Sequence, residues 1–123
     1  MNEFLMSAEY IMSEGNNRII LCERGIRTFV EFSRNTLDLN VVPAIKSISH
    51  LPIIVDPSHG TGRRDLIEPL SLAGLAAGAD GLMIEVHPEP AKARCDGAQS
   101  LTCQDCEEVM GELKRMLVFL GFK

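Results

Sequence analysis

Three residues able to hold a metal ion or move a proton stand just after apolar runs. His59 lies in D-P-S-H-G-T-G, Asp56 to Gly62, directly after L-P-I-I-V. Glu85 closes the run G-L-M-I-E, and Asp96 sits in the later stretch C-D-G-A-Q-S-L. One imidazole and two carboxylates make a mixed nitrogen and oxygen donor set, which suits Mn²⁺, Fe²⁺, Zn²⁺ or Co²⁺. Spacing alone leaves a plainer alternative ahead of that one. His59 can be a turn residue, Glu85 a strand-end ion-pair partner and Asp96 part of an Asp-Gly turn, because no regular spacing rule covers so dispersed a set.

Arginines surround the same region. Arg24, Arg27, Arg63 and Arg64 all fall in loops that follow apolar runs. A guanidinium beside glycine, as in E-R-G at Glu23 to Gly25, suits a phosphate or carboxylate because it offers a planar two-pronged donor. Solvated surface charge is the competing reading, and it weighs more on Arg63 and Arg64 than on Arg24, which abuts a buried run. G-T-G alone is a weak phosphate-loop signal, since the full glycine pattern and the lysine are missing. Cys103 and Cys106 form C-x-x-C at a helix start, where the dipole lowers a thiol pKa. A redox pair, or a zinc site completed by Cys95 and His87, is a minor reading beside cysteines that simply occupy a helix start.

The elements that must position these groups are legible from periodicity. Phe4, Leu5, Ala8, Ile11 and Met12 share one face of an opening helix that Gly15-Asn16-Asn17 stops. Arg18 to Glu23 reads as a buried strand, and a polar loop runs to about Asn40. A second helix is expected over 39–49, with Pro43 tolerated in its first turn. Ile53-Ile54-Val55 is the second strand. Asp65 is expected to cap a third helix that Gly78 closes. Gly81 to Val86 is the third strand, and a long loop leads to Thr102, which caps the last helix with Asp105 three residues on. Val109, Leu113, Met116, Leu117 and Leu120 form that helix's apolar stripe.

The order is helix, then strand-helix three times, with strands apolar throughout. That pattern fits parallel strands covered on both faces and joined by right-handed crossovers, an α/β fold. A small open sheet and part of a (β/α)8 barrel both satisfy it, a whole barrel taking about 250 residues. In either arrangement the C-terminal strand ends lie on one face, where sites form. Arg24, His59 and Glu85 then aim at one region, with Asp96 able to fold over it.

Composition narrows the function classes. The 123 residues make one modest domain, with enough apolar content for a core and a net charge of -5. That charge, with no basic run longer than Arg63-Arg64, excludes a nucleic-acid surface. No apolar run approaches the roughly 18 residues that span a bilayer. The acidic start M-N-E-F-L-M-S-A-E-Y lacks a basic leader. A cytoplasmic location is expected, with no membrane partner, and the four cysteines are expected as thiols or ligands.

Five stretches together carry a resemblance: C-E-R-G-I-R-T-F, R-N-T-L-D-L, H-L-P-I-I-V-D-P-S-H-G-T-G-R-R, G-L-M-I-E-V-H-P-E-P and C-D-G-A-Q-S-L. In order and over nearly the whole chain they resemble 3-deoxy-7-phosphoheptulonate synthase (DAHP synthase), in the microbial subgroup related to 3-deoxy-octulosonate 8-phosphate synthase. R-N-T-L-D-L favours the heptulonate enzyme over its octulosonate relative. The resemblance implies a (β/α)8 barrel that joins phosphoenolpyruvate to erythrose 4-phosphate, the first step toward chorismate. It implies a divalent metal held by a cysteine, a histidine, a glutamate and an aspartate. His59, Glu85 and Asp96 match the last three. Arg24 matches the arginine that grips phosphoenolpyruvate, and Arg27 stands beside it as a second substrate-binding residue. The implied chemistry is Lewis-acid polarisation of the aldehyde oxygen, attack by C3 of phosphoenolpyruvate, addition of water at C2 and loss of phosphate by C–O cleavage.

Aligned by motif, the chain corresponds to the C-terminal half of that barrel, a single partial domain over 1–123 that starts in the helix after the fifth strand. The metal-binding cysteine of the family falls in the earlier part, and neither Cys22 nor Cys95 stands in its motif. Three expectations follow: a piece inactive alone, a half that self-associates or assembles with a complementary N-terminal half, or a folded remnant with a binding or structural role.

Overall fold

The computed structural model describes residues 1–122. Eight regular elements follow the chain: α1 (Asn2–Ser13), β1 (Leu21–Glu23), α2 (Val41–Ile48), β2 (Ile53–Val55), α3 (Pro57–Thr61), α4 (Ile67–Ala76), β3 (Gly81–Leu82) and α5 (Cys103–Phe119). Short 3-10 turns occupy Arg64–Leu66 and Pro90–Lys92. The strands lie in sequence order and are all parallel. Leu21 pairs with Ile53 and Glu23 with Val55, then Ile54 with Gly81 and Val55 with Leu82. Each crossover carries a helix, as parallel strands require.

One face of this sheet is covered and the other is not. Leu21, Ile53 and Val55 are buried with Val42, Ile45, Leu51 and Ala8. Cys22 and Ile54 point to the opposite face and stay half-buried. The expectation of strands covered on both faces therefore holds for one face only, because the three strands form an unclosed sheet. A second cluster of Ile67, Leu101, Val109 and Leu113 packs α5 against α4.

Two strands are shorter than their apolar runs. β1 begins at Leu21 rather than Arg18, because its ladder opens where the Leu21 N–H donates to the Pro52 carbonyl. β3 stops at Leu82 rather than Val86. Its last ladder bond to β2 runs from Met83 N to Val55 O, and beyond Val55 the chain turns into α3. The stretch past Leu82 then pairs elsewhere: the Leu101 N–H donates to Glu85 O and the His87 N–H to Leu101 O.

The last helix starts as its sequence dictates. Thr102 accepts from the Asp105 N–H while the Asp105 carboxylate accepts from the Thr102 N–H, a complete capping box. Asp65 does not cap α4. It sits inside the 3-10 turn and pairs with Arg63, and Leu66 occupies the capping position without a side-chain bond.

Candidate metal and substrate site

The site is built at the C-terminal ends of the strands. After β2 the chain reads Asp-Pro-Ser-His-Gly-Thr-Gly, and this folds into α3 with Asp56 as its cap, Pro57 in the first turn and Gly62 left-handed at its end. Asp56 is fully buried, and both its oxygens work. Oδ1 accepts from the His59 backbone N–H at 2.9 Å, and Oδ2 meets His59 Nδ1 at 2.8 Å. Holding a proton on Nδ1 leaves Nε2 free to act as a ligand, the usual way a carboxylate sets a histidine for a metal.

Nε2 faces Glu85. The two meet at 3.2 Å through Oε2, and Asp96 completes a group whose donor atoms all lie within 4.8 Å of one another. Donors about 2.1 Å from one ion stand about 3 Å apart when adjacent and about 4.2 Å apart when opposite, so this trio is close to the span of a single coordination shell. Its chemistry, one imidazole and two carboxylates, fits a borderline divalent cation. Among the described residues no other group of three histidines, cysteines or carboxylates comes together in this way. Cys95, Cys103, Cys106 and His87 therefore do not assemble the alternative zinc site, and all four cysteines are free thiols. Burial pushes the Cys22 thiol up, with the Asp56 charge adding to it.

Glu85 and Asp96 are 11 positions apart, and backbone bonds bring them together. Leu101 bonds to Glu85 and His87 beyond the end of β3 as noted, and the Glu85 N–H donates to the buried Ser58 hydroxyl at 3.0 Å. Asp96 adopts φ 54, unusual for a residue with a side chain, and its carbonyl accepts from Gln99 N and Ser100 Oγ.

The arginines divide. Arg24 Nε lies 3.4 Å from Asp56 Oδ2, at the foot of His59, with most of its side chain exposed. Arg27 donates through Nη1 to the Arg34 carbonyl and, with Arg34, Arg63 and Thr61, lines an open cleft of 690 Å³. Arg63 holds Asp65 and lies 5.7 Å over the Phe32 ring, while Arg64 donates to Gly97 O. Arg34 reaches Asp96 at 3.5 Å. Sequence reasoning missed Asp56, Ser58, Arg34 and Gln99. Both Asp56 and Gln99 had a signal: Asp56 is a carboxylate just past a strand and before proline, and Gln99 stands in C-D-G-A-Q-S-L three residues after Asp96.

Glu23 shapes the Arg24 turn. Its Oε1 accepts from Gly25 N at 2.9 Å and Asp38 N at 3.0 Å, and burial raises its carboxyl above the ordinary 4.5. A raised folded pKa means the native state takes up a proton before the unfolded chain does. As pH falls through the raised value, wild type gains stability relative to Glu23→Gln, which keeps the acceptor but does not titrate, and the difference levels off below about 4.5. Thermal melts of both proteins from pH 8 to pH 4 test this; parallel curves contradict it.

An unclosed parallel α/β sheet with a histidine-carboxylate cluster at its strand ends is what a portion of a (β/α)8 barrel presents, and likeness to a solved relative, given below, selects that over a small open sheet. The chain belongs to the DAHP synthetase I family, whose model matches residues 1–118. It is 58% identical over its whole length to phospho-2-dehydro-3-deoxyheptonate aldolase of Thermotoga maritima, of which it covers 36%. It is 38% identical to a 2-dehydro-3-deoxyphosphooctonate aldolase of Geobacter sulfurreducens, over 85% of this chain and 41% of that protein. The solved structure of a truncated 3-deoxy-D-arabino-heptulosonate 7-phosphate synthase from Thermotoga maritima superposes with a TM-score of 0.96 at 59% identity, over 98% of this chain and 46% of that one. The chain thus spans less than half the length of these relatives.

Proposed function

We propose that this chain supplies the metal-binding C-terminal portion of a DAHP synthase, which condenses phosphoenolpyruvate with erythrose 4-phosphate to give 3-deoxy-arabino-heptulosonate 7-phosphate in the cytoplasm. The observation that carries the reading is the convergence of His59, Glu85 and Asp96 at the strand ends. These three would hold a divalent cation, Mn²⁺, Fe²⁺, Zn²⁺ or Co²⁺. When bound, such an ion supplies Lewis-acid polarisation of an aldehyde oxygen. Asp56 keeps His59 in the tautomer that binds. Arg24 and Arg27 bind the phosphorylated substrates, and the arginine-lined cleft offers guanidinium donors where phosphate charge must be neutralised.

The remaining strands are proposed to come from a complementary N-terminal half. The outer edge of β3 has no strand partner among the described residues, and beside it a 760 Å³ groove is lined by Leu82, Ile84, Val86, Met110, Leu117 and Phe122. An open strand edge next to an apolar groove favours addition of another strand. The test is phosphoenolpyruvate consumption with erythrose 4-phosphate and Mn²⁺, for the chain alone and mixed with a family N-terminal half. Turnover in the mixture alone is expected. A folded, associated mixture with no turnover contradicts the reading.

A further inference from the structure

Gln99 is fully buried, yet only half of its amide is used. Nε2 donates to Glu85 Oε2 at 3.0 Å, while Oε1 has no partner among the described residues. An unmade acceptor in the interior opposes folding, and an apolar side chain of the same shape would fill the space without that loss. The amide orientation is fixed by its neighbour, because turning it over would set its oxygen against a carboxylate oxygen. What the side chain gains for this cost is one hydrogen bond among the described residues, to the oxygen facing His59 Nε2.

We propose that Gln99 is a positioning residue of the metal site: it fixes the Glu85 carboxylate so that Oε2 faces His59 before an ion arrives. The Glu85 backbone is already held by Ser58 and Leu101, so Gln99 acts on the side chain. A neutral donor suits the task. It orients a carboxylate without placing a positive charge where a divalent cation must sit, as lysine or arginine would. The same residue donates its backbone N–H to Asp96 O, so one position supports two of the three ligands.

This inference rests on the metal reading above, and calorimetric titration with Mn²⁺ separates the two. Wild type, Gln99→Met and Gln99→Leu are titrated, and each is melted without metal. Gln99→Met keeps the length and lacks the donor. It is expected to weaken Mn²⁺ binding by about 10- to 100-fold, as loss of a supporting contact does, without lowering the metal-free melting temperature. A purely structural role predicts the reverse, a lowered melting temperature with affinity kept. Gln99→Leu serves if the methionine variant does not fold. Binding by a folded variant within about threefold of a binding wild type overturns the role of Gln99 and leaves the metal site standing. No binding by wild type overturns both.

Discussion

His59→Ala is expected to remove Mn²⁺ binding, with a loss beyond the about 100-fold that follows from disturbing a supporting contact alone. The imidazole is the only nitrogen donor in the cluster, and its Nε2 stands 3.2 Å from Glu85 Oε2. The fold should survive. The cap of α3 uses the residue 59 backbone N–H, which alanine retains, and Asp56 keeps Arg24 as its ionic neighbour. Calorimetric titration with Mn²⁺ measures the effect, and circular dichroism checks the helices. Equal affinity in the two proteins would refute the ligand assignment.

Gly97→Ala should damage stability and site together. A methyl group at this position would lie 2.2 Å from the Pro90 carbonyl oxygen and 3.3 Å from Ala93 Cβ. The close neighbour is backbone, so the 90–97 segment must move rather than a flexible side chain. Overfilling of this kind costs about 1–3 kcal/mol. The displaced segment carries Asp96, already in the left-handed region, and the Gly97 carbonyl that accepts from Arg64. Displacement of Asp96, a proposed ligand, should weaken Mn²⁺ binding as well. Urea denaturation reads the first effect and calorimetry the second. An unchanged urea midpoint would contradict the close approach, and unchanged binding would contradict the role of Asp96.

The chain's architecture was legible because its signals are local. Apolar runs around Ile19, Ile53 and Leu82, separated by helical periodicity, dictate parallel strands with crossovers. Thr102 and Asp105 announce the start of α5. Strand ends were less legible, since a strand lasts only as long as its neighbour, and β2 ends at Val55 whatever the residues after Leu82 prefer. The helix at Pro57–Thr61 was spelled out by Asp56, Pro57 and Gly62, yet the residues between look like a loop. His59 and Glu85 could be placed as strand-end residues. Their distance to Asp96 could not, because it depends on the bonds of Leu101 to Glu85 and His87 and on the backbone turn at Asp96. Gln99 was visible as part of C-D-G-A-Q-S-L, but its bond to Glu85, across 14 positions, was not.

One cation is proposed to bind among His59, Glu85 and Asp96, and anomalous diffraction from crystals of this protein soaked in Mn²⁺ locates it. A single peak about 2.0–2.3 Å from His59 Nε2 and from carboxylate oxygens of Glu85 and Asp96 is the predicted result. A peak held by other residues, or none at saturating Mn²⁺, would refute binding at His59, Glu85 and Asp96.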